Sequence, residues 1–133
     1  MDDLIEQLRE KNQPIPTPLE LPDYDLLVEI EEQLLLSLPA EYREFLLTVS
    51  DIVYGSLEPA TVTDPHSHTY LPEMAANAWD RGLPREYIPI CEVRDNYYCI
   101  APDGAVLYWK NGDFVDEEWE SIWYWVRDVW LES

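Results

Sequence analysis

The chain has 133 residues, 47% of them hydrophobic, which suits one domain with one core and excludes a disordered polymer. Its 28 acidic residues outweigh 8 basic ones, for a formal net charge of −20, so nucleic acid and anionic membrane surfaces, which need Lys and Arg clusters, are excluded as partners. A basic protein is the kind of partner such a surface attracts, although solubility alone would produce the same acidity.

No stretch approaches the roughly 18 apolar residues of a membrane span. The opening Met1-Asp2-Asp3-Leu4 has no basic region followed by an apolar run, so no secretory signal is expected. The expected compartment is the cytoplasm, with Cys91 and Cys99 reduced.

Asp2 to Lys11 reads as a short helix with Leu4, Ile5 and Leu8 on one side. Pro14, Pro16, Pro18 and Pro22 then make an extended connector, expected to lie on the domain through Ile15, Leu19 and Leu21. The organisation read from this is one domain over residues 1–133, with 1–22 as an N-terminal helix and Pro-rich connector laid on it. A second helix follows up to about Leu36, capped by Asp23 or Asp25, with Leu27, Ile30 and Leu34 as its buried stripe. Ser37-Leu38-Pro39 signals a third, by a capping hydroxyl and a proline in the first turn. Its apolar residues Tyr42, Phe45, Leu46 and Val49 recur at helical spacing.

Leu57 to Thr63 reads as a short strand and Asp64 to Thr69 as a polar loop. Leu71, Ala75, Ala78 and Trp79 share a helical face that ends at Gly82. From Tyr87 the texture becomes short, β-branched and aromatic. Ile88 to Val93, Tyr97 to Ala101 and Ala105 to Trp109 are separated by Arg94-Asp95-Asn96 and Pro102-Asp103-Gly104, with Asn111-Gly112 following, which is the pattern of an antiparallel meander. On its third strand Leu107 and Trp109 are expected on one face, with Trp109 buried. A closing helix gathers Trp119, Ile122, Trp123, Val126, Val129 and Trp130 on one face, leaving Tyr124 and Leu131 outward. The fold class is α+β, a central antiparallel meander with helices packed mainly on one side.

Three stretches carry a family resemblance. Ser37-Leu38-Pro39-Ala40-Glu41-Tyr42-Arg43-Glu44-Phe45-Leu46 is similar to a Leu-Pro, Tyr and Phe-Leu helix. Tyr87-Ile88-Pro89-Ile90-Cys91 is followed by Tyr97-Tyr98-Cys99-Ile100. Gly104-Ala105-Val106-Leu107-Tyr108-Trp109 is similar to a Gly-x-Val-x-x-Trp strand. In this order and spacing they resemble the SUKH superfamily, the Smi–Knr type of domain, from about Leu26 onward. The chain departs from the family at Ser50-Asp51-Ile52-Val53-Tyr54-Gly55, where members often carry a Gly-rich turn. The resemblance implies a SUKH-like fold without catalytic machinery or cofactor. It also implies a protein-binding role: in bacteria the family is largely made of immunity proteins that neutralise toxin domains, often nucleases, and some eukaryotic relatives are regulatory interaction modules.

Few constellations compete with that reading. Asp64, His66 and His68 have a spacing that an extended loop could turn toward a metal, but zinc wants at least three protein ligands, and no further histidine or Cys cluster joins them. Cys91 and Cys99 lie symmetrically about Asp95 and would face each other across a hairpin centred there. Packing as small apolar residues is weighed against a redox pair. Neither a nucleophile in a recognisable turn nor a phosphate-binding glycine loop is found, so no catalytic residue is assigned.

The acids are unevenly placed: 13 fall from Asn12 through Asp80 against one base, Arg43, and another group precedes the last helix. The candidate partner-binding residues are Asp113, Asp116, Glu117 and Glu118 with Tyr124, and as a second patch Asp64, His66 and His68. The expected partner is a basic toxin domain. The alternatives are a regulatory or scaffolding module and, more weakly, a small metal- or ligand-binding enzyme.

Overall fold

A computed structural model describes residues 2–133. The first helix, α1 (Asp2–Lys11), buries Leu8 and lays Leu4 and Ile5 on the core. Its Arg9 reaches Asp51 at 2.7 Å and the Thr48 carbonyl at 2.6 Å, tying the N-terminus to the third helix. The connector follows the chain around residue 53: Gln13 N–H donates to the Val53 carbonyl, and Asn12 Oδ1 accepts the Val53 N–H. Ile15 and Leu19 are half-buried, but Leu21 is exposed, contrary to its expected anchoring role.

Helix α2 (Tyr24–Leu34) begins where Asp23 Oδ1 accepts the Leu26 N–H at 2.8 Å, and buries Leu27, Ile30 and Leu34. It stops two residues before the expected Leu36, because Leu35 turns left-handed at φ 59°. Helix α3 (Ala40–Val49) buries Tyr42, Phe45, Leu46 and Val49 as the spacing requires. Ser37 does not cap it. The N-cap is Pro39, without a side-chain hydrogen bond, and Glu31 Oε2 accepts the preceding Leu38 N–H at 2.8 Å. Helix α4 (Leu71–Asp80) carries proline in its first turn and buries Leu71, Met74, Ala75 and Ala78. Trp79 is half-buried, with its indole N–H donated to the Tyr87 carbonyl at 2.8 Å.

The sheet runs β1 (Ile88–Val93), β2 (Asn96–Ile100), β3 (Val106–Lys110) and β4 (Asp113–Trp119), all antiparallel in sequence order. The fourth strand is a correction to the sequence reading, which ended the meander at Trp109. Asp, Glu and their like have poor strand propensity, so Asp113–Trp119 gives no strand signal of its own. The Asn111-Gly112 turn supplies the hairpin instead, with both residues at positive φ. Trp109 is 4% exposed, as expected, and pairs with Tyr97 on one side and Phe114 on the other.

Leu57 to Thr63 is not a regular strand. It touches the sheet and the start of α4 through single bridges, Pro59 to Cys91 and Thr61 to Tyr70. Pro59 has no N–H to extend a ladder.

The chain closes with α5 (Ile122–Trp125) and a π-helix (Val126–Trp130). Trp119 belongs to β4, not to this helix. Five residues per hydrogen-bonded loop bring Trp125 and Trp130 onto one face, rings stacked at 6.4 Å. Both are buried, along with Ile122, Trp123 and Val126, while Leu131 is half-buried instead of outward and Val129 is also only half-buried. Phe45 of α3 packs on Trp123 and Trp130 at 5.9 and 5.8 Å. The buried side chains of all these elements form one hydrophobic cluster.

Candidate protein-binding surfaces

Cations are the first filter on the surface, because a −20 chain presents whatever negative charge its few cations do not mask. Most of those cations are engaged within the molecule. Arg9 pairs with Asp51, Arg81 with Asp95 and Arg127 with Asp128. Arg43 donates to the Leu38 carbonyl at 2.9 Å and stands 4.0 Å from Glu31. Arg85 donates to the Leu34 carbonyl and lies 3.7 Å over the Trp79 ring, and Lys11 lies over Tyr54.

The four acids Asp113, Asp116, Glu117 and Glu118 are all exposed on β4. The strand pairs with β3 on one side only, so its other edge is open. The opposite edge of the sheet, β1, is covered in part by the 57–63 segment, where Ala60 N–H donates to the Ile90 carbonyl at 2.7 Å. Charges on an open strand discourage pairing with another chain by backbone hydrogen bonds, and equally they define which partner is attracted. Sequence reading placed this acidic group between the meander and the last helix, as one patch. Strand alternation divides it. Glu118 lies opposite Leu107, and its charge adds a little to the raised Tyr87 pKa, behind burial, Glu86, Cys99 and Asp103. Glu117 acts instead on Tyr98, whose pKa is pushed up to about 12 by burial first, then Tyr108 and Glu117.

Tyr124, 44% exposed, stands outside α5 with the Arg127 guanidinium 4.8 Å from its ring centre. It lines a depression of about 470 Å³ with Leu4, Glu41, Glu120, Ser121, Trp123 and Arg127. Glu120 follows β4 directly, so the acidic strand leads into this depression. Glu120, which the sequence reading counted in the acidic group before the last helix, and Glu41, which it did not single out, are therefore part of the same surface. Only the tertiary meeting of α1, α3 and α5 brings them together.

Asp64, His66 and His68 are exposed on a tight loop. Asp64 Oδ1 accepts the His66 N–H at 2.9 Å, an Asx turn, and its carbonyl accepts the Ser67 N–H. His68 Nε2 lies 2.7 Å from Glu58 Oε2. Among the described residues, no three His, Cys, Asp or Glu side chains gather as a metal-binding group. This loop adjoins the β1 edge through the 57–63 segment, whereas the acidic strand is the other edge. Three strand spacings, about 14 Å, separate β1 from β4, and the loop lies beyond β1, so the structure does not bring the two candidate patches together.

Cys91 and Cys99 are free and buried, and they do not oppose each other. A bulge at Ile90 sets Pro89 against Cys99 and Cys91 against Tyr98, which sends the two thiols to opposite faces of the sheet. Burial pushes both thiols up to about 12, the pKa of inert packed cysteine.

The segment Ser50–Gly55, where the sequence departs from the Gly-rich turn of the family, packs against the C-terminal residues. The Tyr54 carbonyl accepts the Trp130 indole N–H at 3.1 Å, and the Tyr54 hydroxyl donates to the Leu131 carbonyl at 3.1 Å. Gly55, at φ 66°, lies against Ser133 where no Cβ would fit. Among the described residues, no helix is long and apolar enough to cross a membrane.

A family model, SUKH_5, described as SMI1-KNR4 cell-wall, matches residues 1–131. A solved structure described as a crystal structure of protein from Pseudomonas syringae pv. tomato is 64% identical, covers 100% of both chains and superposes with a TM-score of 0.98. Among curated proteins, none matches the chain.

Proposed function

The chain belongs to the SMI1-KNR4 (SUKH) family, and on that premise we propose that it is a non-catalytic immunity protein that binds and neutralises a basic toxin domain. The observation that carries this reading is the open sheet edge β4, with four exposed carboxylates leading into the depression beside Tyr124. A nuclease toxin has a cationic cleft for phosphate, and carboxylates set along both faces of an open strand compete for it as a charge mimic. Tyr124 supplies the aromatic anchor on which interface energy concentrates. Asp64, His66 and His68, on the other side of the sheet, form a secondary contact in this proposal. The action takes place in the cytoplasm, and the fold acts as one domain with its N-terminal arm as part of it.

Steering by charge acts over about 10 Å at 0.1 M salt and governs association more than dissociation. Replacing Asp113, Asp116, Glu117 and Glu118 by Lys is expected to slow association with a cognate toxin domain by about tenfold or more at low salt, with little effect at high salt. An association rate that ignores both the charge reversal and the salt would remove the charge-mimic mechanism. Failure of the unaltered protein to protect cells producing that toxin domain would remove the immunity role itself. The family description, SMI1-KNR4 cell-wall, supports a second reading, a regulatory or scaffolding module. Protection that fails while a cellular protein co-purifies stoichiometrically favours it.

A further inference from the structure

Exposed large apolar side chains are not scattered over this molecule. The described residues show five, and four of them, Leu21, Tyr24, Val28 and Leu35, belong to α2 and its two flanks. Tyr24 and Val28 are one turn apart on the helix, with Leu21 ahead of it and Leu35 at its end. The buried residues Leu27, Ile30 and Leu34 already seat α2 on the core, so this outer row is not needed for packing.

Leu35 makes the case sharper. It is 79% exposed and sits in the left-handed region at φ 59°, the C-cap position where glycine or asparagine is usual. A leucine there is disfavoured twice, by backbone strain and by exposure. Such a residue persists where something outside the free chain uses it.

The surroundings say what that is. From Gln13 through Tyr42 the chain has seven carboxylates and no Lys, Arg or His. Glu20, Asp23, Asp25 and Glu29 line a depression of about 400 Å³ that also takes in Leu21. An apolar row with an acidic rim is the form of a docking site. A second copy of this chain would set carboxylates against carboxylates, so self-pairing is disfavoured. We propose that the outer face of α2 docks a cationic amphipathic segment of a partner protein. Apolar side chains of that segment cover Tyr24, Val28 and Leu35, and its Lys or Arg side chains enter the acidic depression. This rests on the protein-binding reading above but places a second contact away from β4.

The test uses a Lys/Leu amphipathic helical peptide of about 18 residues, some 27 Å long and enough to span the row. A scrambled peptide of the same composition is the control, and binding is followed by calorimetry and amide NMR shifts. The amphipathic peptide is expected to shift the α2 resonances and to bind more tightly than the scrambled one. The double variant Tyr24→Ala/Leu35→Gly is expected to weaken it about tenfold or more. Leu35→Gly alone should raise the melting temperature while weakening binding, a split that a merely structural role would not produce. No binding, equal binding of the scrambled peptide or equal binding by the double variant overturns the proposal. Shifts confined to β4 overturn it too, while leaving the acidic-edge reading standing. A concentration-dependent dimer dissolved by Val28→Glu assigns the face to a second copy and also overturns it.

Discussion

Trp123 and Tyr124 are neighbours in sequence with opposite fates. Trp123 is 3% exposed and packs on Phe45 of α3, whereas Tyr124 stands outward beneath Arg127. Truncating the first opens a cavity in the aromatic core, while truncating the second removes only surface. Trp123→Ala is therefore expected to destabilise the protein by about 3–5 kcal/mol, and Tyr124→Ala to stay within about 0.5 kcal/mol. Thermal or denaturant unfolding checks both, and binding to a partner should show the reverse ranking. Among the described residues, the buried indole N–H groups of Trp123 and Trp125 and the Tyr42 hydroxyl have no hydrogen-bond partner. These aromatic groups are held by packing, so volume loss at any of them has no polar contact to cushion it. Two of the residue assignments made from periodicity, Trp123 and Trp130, survive in the structure because an aromatic residue amid an apolar stripe is buried under most helix phases. Trp125 escapes the same reasoning, because its burial depends on a five-residue repeat that a 3.6-residue count does not represent.

At the scale of elements, β4 decides most about behaviour. It is a seven-residue strand whose outer edge is unpaired, and its sequence Asp-Phe-Val-Asp-Glu-Glu-Trp mixes three apolar side chains with four acids. Phe114 rests on the Tyr87 ring at 4.9 Å, and Trp119 meets Tyr98 edge-on at 5.8 Å. Those two contacts add to the ladder with β3, and the acids keep the outer edge from recruiting another chain. Replacing Asp116, Glu117 and Glu118 together by Thr raises strand propensity and removes the repulsion. The expected outcome is a fold that is no less stable but self-associates, with a concentration-dependent mass in sedimentation and light scattering. A triple variant that remains monomeric at high concentration would show that the acids have no protective role at this edge. The contrast with α3 is instructive. There the apolar spacing Tyr42, Phe45, Leu46, Val49 is strong enough to be read directly, because one helix face is committed to the core.

For the molecule as a whole, burial of thiols and phenols links stability to alkaline pH. Cys91, Cys99, Tyr97 and Tyr98 are pushed up to about 12, in each case by desolvation first, with Glu92 adding at Tyr97 and Tyr108 at Tyr98. Tyr42 is raised further by its complete burial and by Cys91. In the unfolded chain these groups lose their protons from about pH 8.5 to 10 upward. The folded protein then holds more protons than the unfolded one, so stability falls as pH rises through this window and up to about 12. Below about pH 8 the groups are protonated in both states and contribute no pH dependence. Unfolding midpoints measured from pH 7 to 11 are expected to be flat at first and to drop above about pH 9. Replacing both cysteines by Ala should make that drop shallower. Thiol reagents should react with the native protein only slowly at neutral pH.

The sequence by itself determined the helices, whose apolar residues at i, i+3 and i+4 report burial locally, and the first three strands, marked by β-branched and aromatic runs between turns. It also determined the net charge of −20, which is a sum over residues and needs no coordinates. Tertiary structure alone decided the fourth strand, because Asp113–Trp119 becomes a strand by pairing with β3 against its own propensity. It decided the separation of Cys91 from Cys99 through one bulged residue, and the placement of the two candidate patches at opposite edges of the sheet through strand order. It decided, too, that Leu21 and Leu35 remain outside: apolar spacing says that a side chain prefers burial, but only the packing of all elements together says which ones find a partner within the chain.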